Sequence, residues 1–164
     1  MVAPLSLPWT ERFRPRTYDD LVVDGNRGAL EELRAWMLDW RNGILRGQIP
    51  AARVAFLYGP PGIGKTASVE ALARDLGFDL FELNASDKRT AENIRRYVGR
   101  GLASAWTPSG KMRMILIDEV DGIHSQNDRG GLGVLRDMIL RSRVPVVLVA
   151  NDAFQRRLRP LMAI

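Results

Sequence analysis

Cysteine is absent from the 164 residues, and histidine occurs once, at His124. Disulfides and cysteine-based metal centres are therefore excluded, and a cytoplasmic compartment is the expected one. A single imidazole among Gly, Ser, Asn and Asp residues reads as a solvated loop group. Long hydrophobic runs are missing too. The longest, Val144 to Ala150, has seven residues, against the ~20 needed to cross a bilayer, so no membrane partner is expected. The opening Met1-Val2-Ala3-Pro4-Leu5 lacks the basic and apolar regions of a secretory leader, and none is expected there. No internal repeat or low-complexity segment is present. With 46% hydrophobic and 26% charged residues, the composition is that of a soluble globular protein. The length predicts one domain with a full core.

What is present starts with Gly59-Pro60-Pro61-Gly62-Ile63-Gly64-Lys65-Thr66, of the form GxxxxGK[ST]. An apolar, strand-like segment, Val54 to Tyr58, precedes it, and a helix-like segment, 66–76, follows. That strand–loop–helix context is what separates a phosphate-binding loop from a Gly/Pro turn. Glycine lets the backbone N–H groups of Gly62, Gly64 and Lys65 turn toward a phosphate. The helix beginning near Lys65 directs its positive end the same way. Lys65 is placed to reach the β- and γ-phosphates of ATP, and the Thr66 hydroxyl to ligate Mg²⁺.

A second apolar strand, 112–117, ends in Asp118-Glu119. Parallel α/β sheets bind ligands beyond the carboxyl ends of their strands, so this pair and the phosphate loop are expected to share one crevice. Asp118 fits a Mg²⁺-holding carboxylate and Glu119 a base or orienter of water; capping the following turn is the competing reading. A third strand within 144–150 ends in Asn151-Asp152. Asn151 fits a hydrogen-bond donor to a γ-phosphate or a lytic water, or simply the start of a turn.

The net charge of +5 is local. Residues 86–113 carry Lys88, Arg89, Arg95, Arg96, Arg100, Lys111 and Arg113 against Asp87 and Glu92, while the segments on either side nearly balance. A short helix from Thr90 to about Val98 would carry much of this excess. A nucleic-acid backbone is one partner for such a face, with Lys88, Arg89, Arg95, Arg96 and Arg100 as the contacts; an ordinary solvated face is the other reading.

Along the chain, residues 1–25 read as irregular. A helix is predicted from Arg27 to about Arg46, with Leu30, Leu33, Met37 and Trp40 on one apolar stripe and Trp36 beside it. Further strands are predicted at 54–58, 79–83, 112–117 and 146–150, with helices at 66–76 and 131–142 and a short one at 154–161. This alternation predicts a parallel sheet with helices on both faces, a three-layer α/β fold. The last segment reads as abrupt, with nothing expected to seat it on the core.

Several segments together resemble the AAA+ P-loop ATPases, and within them the replication factor C clamp loaders in their archaeal large-subunit form. Trp9-Thr10-Glu11-Arg12-Phe13-Arg14-Pro15 is similar to the family's N-terminal box. Leu57 through Thr66 resembles its Walker A, Glu82-Leu83-Asn84-Ala85-Ser86-Asp87 its E-x-N-A-S-D stretch, and Leu116 through Gly122 its Walker B. Asn151-Asp152 with Leu158-Arg159-Pro160-Leu161 resembles its sensor-1 region. Small subunits of the family carry Ser-Arg-Cys after sensor 1. Here the run is Pro160-Leu161-Met162-Ala163-Ile164, which favours the large-subunit branch and argues against donation of an arginine finger.

The resemblance implies a subunit that binds and hydrolyses ATP with Mg²⁺. It implies small clamp-loader subunits, a sliding clamp and primer–template DNA as partners, hence a nucleoid-associated place in the cytoplasm. Phe13, Arg14, Pro15, Val22 and Val23 are implied to lie near the adenine, and the basic segment after Ser86 to face DNA. Residues 1–26 would form the adenine-side segment and 27–164 the ATPase core, stopping before the family's fifth strand, helical lid, collar and tail. Turnover by the isolated chain is expected to be very slow, because a neighbour's arginine contributes roughly 10³–10⁵ in rate. Two other functions are compatible with these motifs: a different DNA-acting AAA+ ATPase (a branch-migration motor or checkpoint clamp loader), and a nucleotide-gated assembly module without turnover of its own.

Overall fold

The computed structural model describes residues 14–21, 25–85, 104–123 and 131–164. The expectations for Phe13, Val22, Val23, Lys88, Arg89, Arg95, Arg96, Arg100, His124 and the helix at 90–98 lie outside the described residues. Four strands form one sheet: β1 (Val54–Tyr58), β2 (Phe78–Asn84), β3 (Met112–Asp118) and β4 (Val146–Ala150). All neighbours are parallel, in the order β1-β4-β3-β2. The helices are α1 (Arg27–Leu45), α2 (Lys65–Asp75), α3 (Gly131–Leu140) and the short α4 (Arg159–Met162). This is the expected three-layer α/β arrangement.

The period-two alternation of the inner strands divides the core. Met112, Met114 and Leu116 of β3, with Val147 and Val149 of β4, pack under Leu33, Met37, Trp40 and Ile44 of α1 and Val69 and Leu72 of α2. Ile115, Ile117, Val146, Leu148 and Ala150 face the other way, against Leu135 and Ile139 of α3. Apolar residues of each helix recur at i, i+3 and i+4 and so fall on one side. The α1 stripe is core, as expected, and the indole N–H groups of Trp36 and Trp40 both donate to the Ala52 carbonyl, at 3.0 and 2.9 Å.

Three details differ from expectation. α3 ends at Leu140 rather than Ser142, because Ser142 accepts the Val144 N–H and donates to the Val144 carbonyl and so turns the chain toward β4, which occupies the expected 146–150. The segment after Ala153 is a 3₁₀ turn, Arg156–Leu158, running into α4 rather than one helix. That segment is also seated on the core: Leu158 and Leu161, three residues apart, are both buried in the α3 layer.

Candidate functional site

Parallel pairing brings the carboxyl ends of all four strands to one edge of the sheet. Tyr58 lies beside Ala150 in the ladder, so the loop leaving β1 starts next to Asn151. Asn84 lies beside Asp118. The loop from Gly59 to Gly64 then turns back into α2. Gly62 and Gly64 have φ of 82° and 84°, a conformation L side chains rarely adopt. Gly64 is also the N-cap of α2 and has no side chain with which to cap it. The first amides of that helix therefore have no side-chain acceptor at the cap, at the positive end of the helix dipole.

The Lys65 ammonium donates to the carbonyls of Gly59 and Pro60, at 2.8 and 2.9 Å, and to Asn151 Oδ1 at 3.1 Å. All three acceptors are neutral, so the charge is held without a counter-ion among the described residues. Next along the helix, Thr66 Oγ1 donates to Asp118 Oδ2 at 2.6 Å. Glu119 has φ of 53°, the only positive value at a non-glycine described residue. Its N–H donates to Asp118 Oδ1 at 2.7 Å, and Asn84 Nδ2 donates to Glu119 Oε2 at 3.2 Å. Lys65, Thr66, Asp118, Glu119 and Asn151 are thus brought together.

These groups fit the chemistry that the spacing predicts. An uncompensated ammonium beside open helix amides suits an anion such as phosphate. A hydroxyl and a carboxylate oxygen 2.6 Å apart are hard donors of the kind Mg²⁺ takes. Among the described residues no cluster of three His, Cys, Asp or Glu could hold a metal alone. A cavity of about 620 Å³ adjoins the loop between α1 and β1, lined by Asn26, Leu30, Trp36, Tyr58, Ile63 and Lys65 among others.

Arg14 and Pro15 are half-buried beside α2, where Arg14 pairs with Glu70. The Tyr18 N–H donates to Asp75 at 2.7 Å and further ties this segment to the helix. Burial, reinforced by the neighbouring Glu70 and Asp118 carboxylates, pushes the Glu82 carboxyl above its ordinary value of 4.5.

Asn84, Asp121 and Arg157 also contribute to the site, and no local pattern in the sequence marks a role for them. For Asn84 the available signal was its position at the end of a strand. Arg157 and Asp121 meet only through the fold.

Fold and site define a P-loop nucleotide-binding α/β domain. The chain belongs to the ATPase family associated with various cellular activities (AAA), whose model matches residues 55–162. Over 91% of its length it is 45% identical to the replication factor C large subunit of Methanosarcina acetivorans, of which it covers 23%. It is 40% identical to that of Pyrobaculum calidifontis over 96% of this chain and 39% of the relative, and 41% identical to that of Thermofilum pendens over 94% and 36%. The chain thus spans well under half of the length of these curated relatives. Among the described residues no helix is long and apolar enough to cross a membrane.

Proposed function

We propose that this chain is the ATP-binding and ATP-hydrolysing part of a clamp-loader large subunit. The observation that carries this reading is the pair of hydrogen bonds linking the phosphate loop to two other strand tips, Lys65–Asn151 and Thr66–Asp118. Lys65 and the amides of Gly62 and Gly64 hold the β- and γ-phosphates. Thr66 and Asp118 hold Mg²⁺, which when bound neutralises charge on the phosphates. Glu119 orients the attacking water and takes up its proton, and Asn84 holds the Glu119 carboxylate in place. Asn151, whose Oδ1 accepts from Lys65, donates its amide N–H groups toward the γ-phosphate. The cavity beside Ile63 is the nucleoside side; the assignment of Phe13, Arg14, Pro15, Val22 and Val23 to the adenine rests on the family resemblance.

Similarity to replication factor C large subunits supports small clamp-loader subunits, a sliding clamp and primed DNA as partners, with Lys88, Arg89, Arg95, Arg96 and Arg100 toward the DNA backbone. Replacing Arg95, Arg96 and Arg100 by Ala in the assembled complex should weaken DNA-stimulated turnover and flatten its salt dependence. The catalytic reading is tested by Glu119→Gln in the same complex. Loss of turnover with nucleotide binding retained is expected; unchanged turnover would leave a binding-only module.

A further inference from the structure

We propose that Asp121 is a positioning residue for Asn151, with Arg157 clamping the turn that presents it. The proposal rests on the reading of Glu119 and Asn151 as parts of the hydrolytic machinery. Asp121 lies in the 3₁₀ turn Val120–Gly122, two residues after Glu119, and that turn is closed by the Gly122 N–H donating to the Glu119 carbonyl at 2.7 Å. Asp121 Oδ2 accepts the N–H groups of Asn151 and Asp152, at 3.1 and 3.3 Å. These amides lie just past the end of β4, where the sheet ladder no longer supplies an acceptor. One side chain therefore ties the backbone that carries Asn151 to the backbone that carries Glu119.

Arg157 completes the link from the other side. It comes from the 3₁₀ turn after β4 and donates through Nη1 to the Ile123 carbonyl and through Nη2 to the Asp121 carbonyl. Its Nε donates to Gln155 Oε1 at 2.7 Å, which fixes the guanidinium plane. The planar fork thus spans the carbonyls of the turn. Stability alone accounts poorly for the choice of an aspartate here. Its second oxygen, Oδ1, is buried and accepts no hydrogen bond among the described residues, and burying an unpartnered carboxylate oxygen costs stability. The geometric result is that Glu119 and Asn151, from different strands, share one frame. A displacement of about 1 Å in such a frame can lower turnover by about 10²-fold.

The test uses the full-length protein in its assembled complex and follows single-turnover ATP hydrolysis together with ATP affinity. Asp121→Ala should slow hydrolysis by about tenfold or more with the Kd changed by no more than about twofold. Asp121→Asn, which keeps a carbonyl acceptor for the two amides, should recover most of the rate. In an Asn151→Ala background, Asp121→Ala should have little further effect. Should Asp121→Ala fail to fold, Arg157→Lys decides, since an ammonium cannot span both carbonyls: slowed hydrolysis supports the proposal and an unchanged rate overturns it. Full independence of the Asp121 and Asn151 effects would also overturn it. ATP binding that survives Lys65→Ala would instead remove the nucleotide-site reading and leave the geometry without this role.

Discussion

The inner strands β3 and β4 and the outer strands β1 and β2 each supply a member of the site, but they hold it by different means. All five residues of β4 are buried, as are five of the seven in β3. In β1 none is fully buried, and in β2 only Phe78 is. Asp118 and Asn151 are therefore fixed by a core that grips their strands on both faces. The loop after β1 is fixed locally, by glycine conformations and by Lys65 reaching the Gly59 and Pro60 carbonyls. Site geometry and fold stability are accordingly one property at the sheet centre and separable properties at its edges.

The largest expected effect tests that separation directly. Leu148→Ala in β4 should cost about 2–5 kcal/mol, because the site is closed on all sides and can collapse only partly. Leu57→Ala in half-buried β1 should cost less than about half of that. Urea denaturation of both variants checks this, and equal losses would break the comparison.

Next come the two strand-tip amides. Asn151→Ala removes the partner of a charged group, an interaction of about 1.5–3 kcal/mol, so turnover in the complex should fall roughly 10–100-fold. Asn84→Ala removes one exposed hydrogen bond to Glu119 and should cost only a few-fold to about tenfold. Steady-state turnover at saturating ATP ranks the two.

The smallest effect lies on the β2 edge. Because burial raises the Glu82 carboxyl above 4.5, the folded protein holds that proton more tightly than the unfolded chain does. Stability from this group is therefore present below 4.5 and is lost as the pH climbs through the raised value. The side chain is mostly exposed, so solvent screening keeps the difference to a few tenths of a kcal/mol. Glu82→Gln should gain on the parent protein only at the upper end of a melting series run from about pH 4 to about pH 7.

The parts of this architecture legible in the sequence are those coded by local pattern. Strand–loop–helix order, the apolar run ending in Asp118-Glu119 and the α1 stripe each declare themselves within a dozen residues. The end of β4 identified Asn151 for the same reason. Beyond the shared crevice of Asp118 and the phosphate loop, which follows from parallel-strand geometry, contacts between segments distant in sequence were not legible. The Asp121 carboxylate reaches amides thirty residues on, Arg157 returns to the β3 turn, and Asn84 meets Glu119 only because β2 and β3 pair in the register that sets Asn84 beside Asp118. The seating of Leu158 and Leu161 was missed because a four-residue helix shows its apolar side only once the sheet it packs on is known.

The most direct test of a site built from converging strand tips is Mg·ATP binding by the full-length protein and its Lys65→Ala variant, measured by titration calorimetry. Saturable, Mg²⁺-dependent binding to the parent is expected, with a loss of about tenfold to a hundredfold or more in the variant, as for removal of a charge-assisted contact. Equal affinity in the two proteins would contradict such a site.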